Sequence, residues 1–266
     1  MPEIKKECYL EIFIICVSAL IASALTLFSG FGLGTLLIPV FAIFFPLEIA
    51  IAMTALVHLA NNIFKIGLIG RKADRSVVVR FGLPAMVAAF AGALFLTSLV
   101  DIQPIYEYRA FGRDLQVSTI KIVIGMLIIL FVALEISHSF SKIAIERKWL
   151  PVGGIISGFF GGLSGHQGAF RSMFLIKAGL EKEAFVATGV MLAVIVDLSR
   201  MAIYGADILA HTDNVEWLFV VVASISAFIG AYAGKKILTK VTIRAVQLVV
   251  SILLVIVAVG LITGLL

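Results

Sequence analysis

Six apolar segments of about twenty residues each dominate this sequence and limit what it can fold into. They cover residues 47–69, 77–100, 117–137, 184–204, 215–234 and 245–265. A helix needs about 20 apolar residues to cross the ~30 Å hydrocarbon layer of a bilayer. A barrel strand needs about half that length and alternates in polarity. The sequence therefore predicts an all-α integral membrane protein.

Composition and charge agree with this class. Of the 266 residues, 61% are hydrophobic and 14% are charged, and the mean hydropathy is +1.14. The net charge of +5 does not indicate nucleic acid, because the Lys and Arg residues lie in short loops between the apolar segments. Cys8 and Cys16 both lie in the first apolar segment, so neither a disulfide framework nor a metal site is expected, and no cofactor is predicted.

An internal repeat emerges when the sequence is shifted along itself by 135 residues. In this register Asn62 falls on Asp197 and Lys65 falls on Arg200. The other matches are Ser29-Gly30 on Ser164-Gly165, Glu48 on Glu183, and Gly70 on Gly205. We therefore predict two homologous membrane repeats, residues 1–140 and 141–266, within one integrated transmembrane domain.

Each half contains two shorter apolar segments followed by three long ones. The short pairs are 12–28 and 36–45, separated by "SGFGLG", and 150–160 and 169–178, separated by "GGLSGHQG". The second pair is too short to cross a bilayer, which favours a hairpin that enters and leaves on one side. The predicted fold is two inverted-topology repeats, each a broken or re-entrant helical hairpin plus three transmembrane helices. A first segment that spans fully is the alternative.

The charge of the loops predicts the orientation. Thirteen Lys or Arg lie in loops 71–80, 141–149, 177–183 and 235–244, against two in loops 100–116 and 205–216. By the positive-inside rule the first group is cytoplasmic, which places both termini outside.

Interrupted helices at matching positions are the way secondary transporters build a substrate site near mid-membrane. Helices that begin near Gly34 and Gly168 would direct free N–H groups and a positive dipole end toward that point, which favours an anion. The glycines predicted to bind substrate are Gly30, Gly32, Gly34, Gly165 and Gly168.

Polar side chains at membrane depth are costly and rarely persist without a role. We predict that the substrate is held by donors from Asn61, Asn62, His166, Gln167 and Arg171. We assign proton coupling or gating to His58, Asp197 and Arg200. Asp197 and Arg200 are three residues apart and can pair on one helix face.

Other unusual residues receive structural interpretations. Lys65 lies one turn from a helix end and is expected to extend to the interface. Glu48 and Glu183 begin long helices, where a carboxylate stabilises the dipole. Isolated glycines within long segments are expected to allow close helix packing. They are Gly92, Gly125, Gly230 and Gly260.

The sequence gives no support for an enzyme. His58, His166, Ser164 and Asp197 form neither a zincin motif nor a nucleophile elbow.

The segments "FSGFGLGTLLIPVF" and "GFFGGLSGHQGAF", each followed by a long helix with a polar patch, resemble the sulfite exporter TauE/SafE family, also called TSUP transporters. The resemblance implies transport of sulfur-containing anions across the bacterial inner membrane, including sulfite, sulfonates such as sulfoacetate, and thiosulfate. His166, Gln167 and Phe170 stand where such families commonly have Gly, Gly or Pro, which leaves the particular anion open.

These observations predict a secondary transporter whose anion binds between the two helix breaks while the halves rock against each other. A passive anion channel, a carrier of carboxylates or other non-sulfur anions, and a structural membrane subunit are the alternatives. The expected partners are a small sulfur-containing anion, protons as coupling ion, the lipid bilayer and a second copy in a homodimer. Nucleic acid is not expected.

Overall fold

The computed structural model describes residues 6–29, 33–100, 102–110, 112–141, 143–210, 216–237 and 243–266. These residues form α-helices joined by short loops, with one β-hairpin. The helices are α1 Lys6–Ser29, α2 Leu33–Phe44, α3 Leu47–Ile69, α4 Arg75–Val100, α5 Thr119–Ile136, α6 His138–Ser141, α7 Leu150–Ser164, α8 Gly168–Leu175, α9 Lys182–Ala210, α10 Trp217–Ile237 and α11 Ile243–Thr263. The strands are β1 Tyr106–Ala110 and β2 Arg113–Val117.

Among the described residues, five helices are long and apolar enough to cross a membrane. They cover 49–72, 75–99, 119–136, 182–203 and 217–234. The prediction of a helical multi-pass membrane protein is confirmed. These spans correspond closely to five of the six long segments in the sequence, because unbroken apolar runs favour helix wherever the backbone must satisfy its own hydrogen bonds.

The hairpin is an element that the apolar pattern did not predict. It lies in the loop after α4, where β1 pairs with β2 in antiparallel register with Tyr106 opposite Val117. Gly112 supplies a φ of 75° at the turn, a conformation that favours glycine. The hydroxyl of Tyr108 donates to the carbonyl of Thr263 at 2.6 Å, which holds the hairpin against the end of α11.

The first helix begins before the predicted apolar segment. Helix α1 has 24 residues, but its apolar part, Tyr9–Leu25, is shorter than the five candidate spans. The expectation of a shorter apolar segment at 12–28 agrees with this, and a first segment that spans fully stays the alternative. In the second half, α7 and α8 have 15 and 8 residues, so the expected short pair is confirmed.

Glycines bring several helix pairs into backbone contact. A Cβ on Gly158 or Gly162 of α7 would collide with the backbone of α4, and one on Gly92 of α4 would collide with the backbone of α7. A Cβ on Gly230 would lie 2.2 Å from the Leu20 carbonyl oxygen of α1, and one on Gly125 would lie 2.8 Å from the Ala258 carbonyl oxygen of α11. The packing interpretation is confirmed for the isolated glycines at these contacts, and it also accounts for Gly162.

Four helix pairings organise the fold: α1 with α10, α4 with α7, α3 with α9 and α5 with α11. Helix α4 also packs on α9, and α10 packs on α3. As a result α3 and α9 lie side by side in the interior, between the two glycine-mediated pairs.

Three basic loops meet at one end of the molecule. Lys72 forms an ion pair with Glu183, which joins the loop after α3 to the start of α9. Arg147 Nη2 lies 3.7 Å from Asp74 Oδ2, which joins the loop before α7 to the same end. Loops 71–80, 141–149 and 177–183 therefore share one end, as their charge predicted.

The α4–α7 contact predicts unequal effects of two Gly→Ala changes. Gly158→Ala should destabilise the protein by about 1–3 kcal/mol, because the new methyl group overlaps the backbone of Ala85. Gly67→Ala is the matched control, since no described atom lies within 4 Å of a Cβ there. Thermal unfolding in detergent should show a lower midpoint for Gly158→Ala and an unchanged or higher one for Gly67→Ala. Equal midpoints would contradict the backbone contact.

Candidate functional site

A buried polar cluster lies where α3 and α9 meet. Its α3 members recur with helical spacing on one face, and its α9 members are three residues apart. All are at least 95% buried: His58, Asn61, Asn62, Lys65, Asp197 and Arg200. Neighbouring helices rather than lipid surround this face.

Asp197 is the centre of the cluster. Its Oδ2 atom lies 2.5 Å from His58 Nδ1 and accepts from Asn62 Nδ2 at 3.3 Å. Its Oδ1 atom lies 2.9 Å from Arg200 Nη2, so the i,i+3 pair predicted from the sequence is confirmed. One carboxylate thus connects α3 to α9 and offsets the charge of a basic residue.

Arg200 retains unused hydrogen-bonding capacity. Its guanidinium lies near Asp197 but off the directions of a hydrogen bond, and within the described residues Nε, Nη1 and Nη2 have no acceptor. The break between α7 and α8 lies against this group. Gly165 has a φ of 77°, and a Cβ there would be 2.7 Å from Arg200 Nη1. Only glycine meets both the backbone and the space requirement.

The break also presents buried donors. Helix α8 begins at Gly168 as predicted, with Gln167 as its N-cap and no side-chain cap among the residues described. Both amide atoms of the Gln167 side chain are buried without a partner in the described structure. The backbone N–H of Arg171 donates to the Gln167 carbonyl and closes the first turn of α8. The N–H groups that precede it in this turn lack helical acceptors.

Arg171 projects from α8 toward the same cluster. A Cβ on Gly189 of α9 would be 3.6 Å from its Nε atom, and Nη1 is buried with no acceptor in the described part of the chain. Arg171 interacts electrostatically with Asp197, which attracts it, and with Lys65, which repels it. Its predicted place beside the other site residues is therefore supported.

His166 lies within the break, 3% exposed. Its Nδ1 atom is 3.0 Å from the Ser164 carbonyl oxygen and 3.1 Å from the Ser164 hydroxyl. The ring stacks on Phe131 of α5 with centroids 5.1 Å apart. Arg200 is close enough to interact with it electrostatically.

Lys65 belongs to the cluster, contrary to the expectation that it extends to the interface. It is 3% exposed and shares the inner face of α3 with His58 and Asn61. With the Asn61 amide nitrogen directed at the Ala227 carbonyl, the amide oxygen accepts from Lys65 Nζ at 3.2 Å. The side chain of Lys65 lies inside the protein because it is on the inner face of α3, although it is only one turn from the end of that helix. Its match with Arg200 in the 135-residue repeat was the signal for this role.

The first break is described only in part. A Cβ on Gly34 would lie 3.8 Å from ring and side-chain carbons of His58 and Thr54, so the first turn of α2 lies against α3. Gly30 and Gly32 lie outside the described residues. The hydroxyl of Thr54 is buried and has no partner among the atoms described.

Together these residues favour an anion. Lys65, Arg171 and Arg200 outnumber Asp197, and N–H donors of Arg171 and Arg200 lack acceptors in the described structure. Buried donors are normally paired, so several such donors in one place are suited to the oxygen atoms of an anion. In the described residues no group of three or more His, Cys, Asp or Glu side chains is arranged to hold a metal ion.

The family model for the sulfite exporter TauE/SafE matches residues 15–261. The chain belongs to this family. No curated protein and no solved structure matches it.

Membership in the TauE/SafE family fits the architecture. It indicates a membrane transporter or exporter of sulfur-containing anions, and the apolar helices are those of a multi-pass membrane protein. A transporter family also argues against an enzyme. The polar cluster between α3, α8 and α9 is therefore the candidate substrate site of this TauE/SafE protein.

The hub role of Asp197 predicts a large stability loss for Asp197→Asn. The substitution leaves Arg200 and His58 without their carboxylate, and breaking a buried pair costs about 3–5 kcal/mol. Asp114→Asn removes the exposed pair with Arg109, whose atoms are 3.6 Å apart, and serves as the control. Thermal unfolding should show a large drop for Asp197→Asn and none for Asp114→Asn. A small change in the unfolding midpoint of Asp197→Asn would mean that the carboxylate does not hold the cluster together.

Proposed function

We propose that this TauE/SafE protein is a secondary transporter that binds a sulfur-containing anion in the polar cluster between α3, α8 and α9. The observation that carries the proposal is an excess of basic side chains over carboxylates, in which buried guanidinium nitrogens of Arg171 and Arg200 lack acceptors in the described structure. Charged groups in a membrane interior are expensive unless they are paired, so an anionic substrate would supply the missing charge.

The anion would bind where two kinds of donor converge. Arg171 and Arg200 offer guanidinium N–H groups, which match the oxygens of sulfite or a sulfonate. The beginning of α8 offers free backbone N–H groups and the positive end of its dipole. Gln167, Asn61 and Asn62 would complete the shell, and Lys65 adds charge.

Helix pairing supports two inverted repeats, residues 1–140 and 141–266. The pairing of α1 with α10 mirrors that of α7 with α4, and α3 packs on its own counterpart, α9. Asn62 and Asp197, which match in the 135-residue repeat, are in direct hydrogen-bond contact. A residue touches its symmetry counterpart only close to a symmetry axis, so the axis would pass through the site.

Such symmetry suits alternating access, in which one half rocks against the other around a central site. The protein would lie in the inner membrane, with its basic loops on the cytoplasmic side. The sequence contains no ATPase motif, so the energy would come from a gradient, with protons as the coupling ion.

The site predicts that Arg171 contributes strongly to anion affinity. Arg171→Gln should raise the Kd for sulfite, thiosulfate or sulfoacetate by about 10- to 100-fold, since a charged hydrogen bond contributes roughly 1.5–3 kcal/mol. The affinity of Arg171→Lys should be intermediate, because lysine keeps the positive charge but cannot form the two parallel hydrogen bonds of a guanidinium group. Lys177→Gln, at an exposed position just after α8, is the control and should bind normally. Titration calorimetry on purified protein measures these affinities, and normal binding by Arg171→Gln would refute this site.

Flux measurements in proteoliposomes test the transport mechanism. A carrier should show saturating uptake, counterflow and a response to an imposed pH gradient. Ohmic current without counterflow would instead identify a passive channel. Transport of matched carboxylates in preference to sulfur-containing anions would overturn the substrate class.

A further inference from the structure

The hydrogen on His166 can be assigned from its contacts. The Ser164 carbonyl only accepts hydrogen bonds, and the Ser164 hydroxyl donates its hydrogen to the Phe160 carbonyl at 3.2 Å. Both oxygens near His166 Nδ1 are therefore acceptors, and Nδ1 must carry the hydrogen. In the neutral ring, Nε2 is then a bare lone pair.

That lone pair accepts no hydrogen bond in the described structure. Nε2 is buried, and no described atom forms a hydrogen bond with it. Toward an anion it would be repulsive, because two electron-rich atoms would face each other. Only a protonated ring offers an N–H donor at Nε2.

Charged groups lie on each helix that lines the site. Arg200 of α9 is close enough to His166 to interact with it electrostatically, and Asp197 of that helix is paired with His58 and Arg200. Arg171 lies on α8 and Lys65 on α3. Helix α5 contributes the ring of Phe131, with Glu135 one turn further along.

This surrounding charge makes protonation of His166 depend on the anion. Without an anion, a cationic ring would be buried without a counter-ion and would lie near Arg200, and both burial and a like charge disfavour the charged form. A bound anion would offset this positive charge, supply a counter-ion and favour the imidazolium. His58 differs in its contacts, because its Nδ1 atom already lies 2.5 Å from the carboxylate of Asp197.

We propose that His166 Nε2 takes up one proton when the anion binds, so that the site is loaded with an anion and a proton together. The proton joins the Nε2 lone pair and leaves Nδ1–H unchanged. This inference rests on the proposed function and names the residue that couples the anion to protons.

Proton uptake can be measured directly. Sulfoacetate is titrated into purified wild-type protein near pH 7.5 by calorimetry in two buffers of different ionisation enthalpy. The ligand does not titrate near this pH, so the buffer dependence reports protons bound by the protein. About one proton should be taken up per anion, and the Kd should rise about tenfold per pH unit where the free ring is neutral. No uptake by the wild type would overturn the inference.

Variants identify the residue that holds the proton. His166→Gln places an amide near Nε2 that donates without titrating, so it should bind with no proton uptake and a flat pH profile. His166→Asn keeps a donor toward Ser164 but nothing at Nε2, so it should bind about tenfold or more weakly, also without uptake. His138→Gln alters an exposed histidine of α6 and should behave as wild type. Uptake that survives in either His166 variant and disappears in His58→Gln would place the proton on the His58–Asp197 pair and refute the inference.

The outcomes separate this inference from the proposed function. Binding of sulfoacetate without proton uptake refutes the role of His166 and leaves the anion site intact. If sulfite, thiosulfate and sulfoacetate fail to bind, the dicarboxylate succinate is titrated in the same way. Binding of succinate with proton uptake supports the inference and refutes the substrate class. Failure of every anion to bind overturns both.

Discussion

Three basic side chains gathered around one carboxylate, two of them fully buried, form the constraint on which the rest of this structure depends. Lys65, Arg171 and Arg200 come from three different helices, and Asp197 offsets only part of their charge. Such groups are tolerated at membrane depth only when protein, water or a ligand surrounds them, so α3, α8 and α9 must face one another. Their lipid-free position in turn requires other helices to enclose them.

Glycine makes that enclosure tight. The backbones of α4 and α7 touch where Gly158 and Gly162 lack side chains, and α10 touches α1 at Gly230. The α4–α7 contact and the α1–α10 contact lie on either side of the α3–α9 pair. Gly165 has a different purpose, because its positive φ ends α7 and its missing Cβ leaves space for Arg200. The glycines near the break thus divide into those that pack helices and one that opens the site.

Local patterns predicted most of the spans and one contact within a helix. The bounds of α3 follow from its apolar run, and the Asp197–Arg200 pair follows from spacing on α9. The contact of His58 with Asp197 joins residues 139 apart in sequence, and no local pattern encodes it. The prediction for Lys65 is wrong because it depends on distance from the helix end, whereas the face of the helix determines where this side chain lies. The β-hairpin was missed because polar loops carry weak periodicity.

The two halves supply different things to the candidate site. In the 135-residue register, His166, Gln167 and Arg171 correspond to Phe31, Gly32 and Leu36, none of which carries a polar side chain. The beginnings of α2 and α8 both lie near the candidate site, and its side-chain donors come from both halves: Asn61, Asn62 and Lys65 from the first, Gln167, Arg171 and Arg200 from the second. In a carrier that rocks one half against the other, the guanidinium contacts of Arg171 and Arg200 and the proton on His166 would stay together in the second half. The contacts from Asn61, Asn62 and Lys65 would then form and break as the loaded site opens and closes.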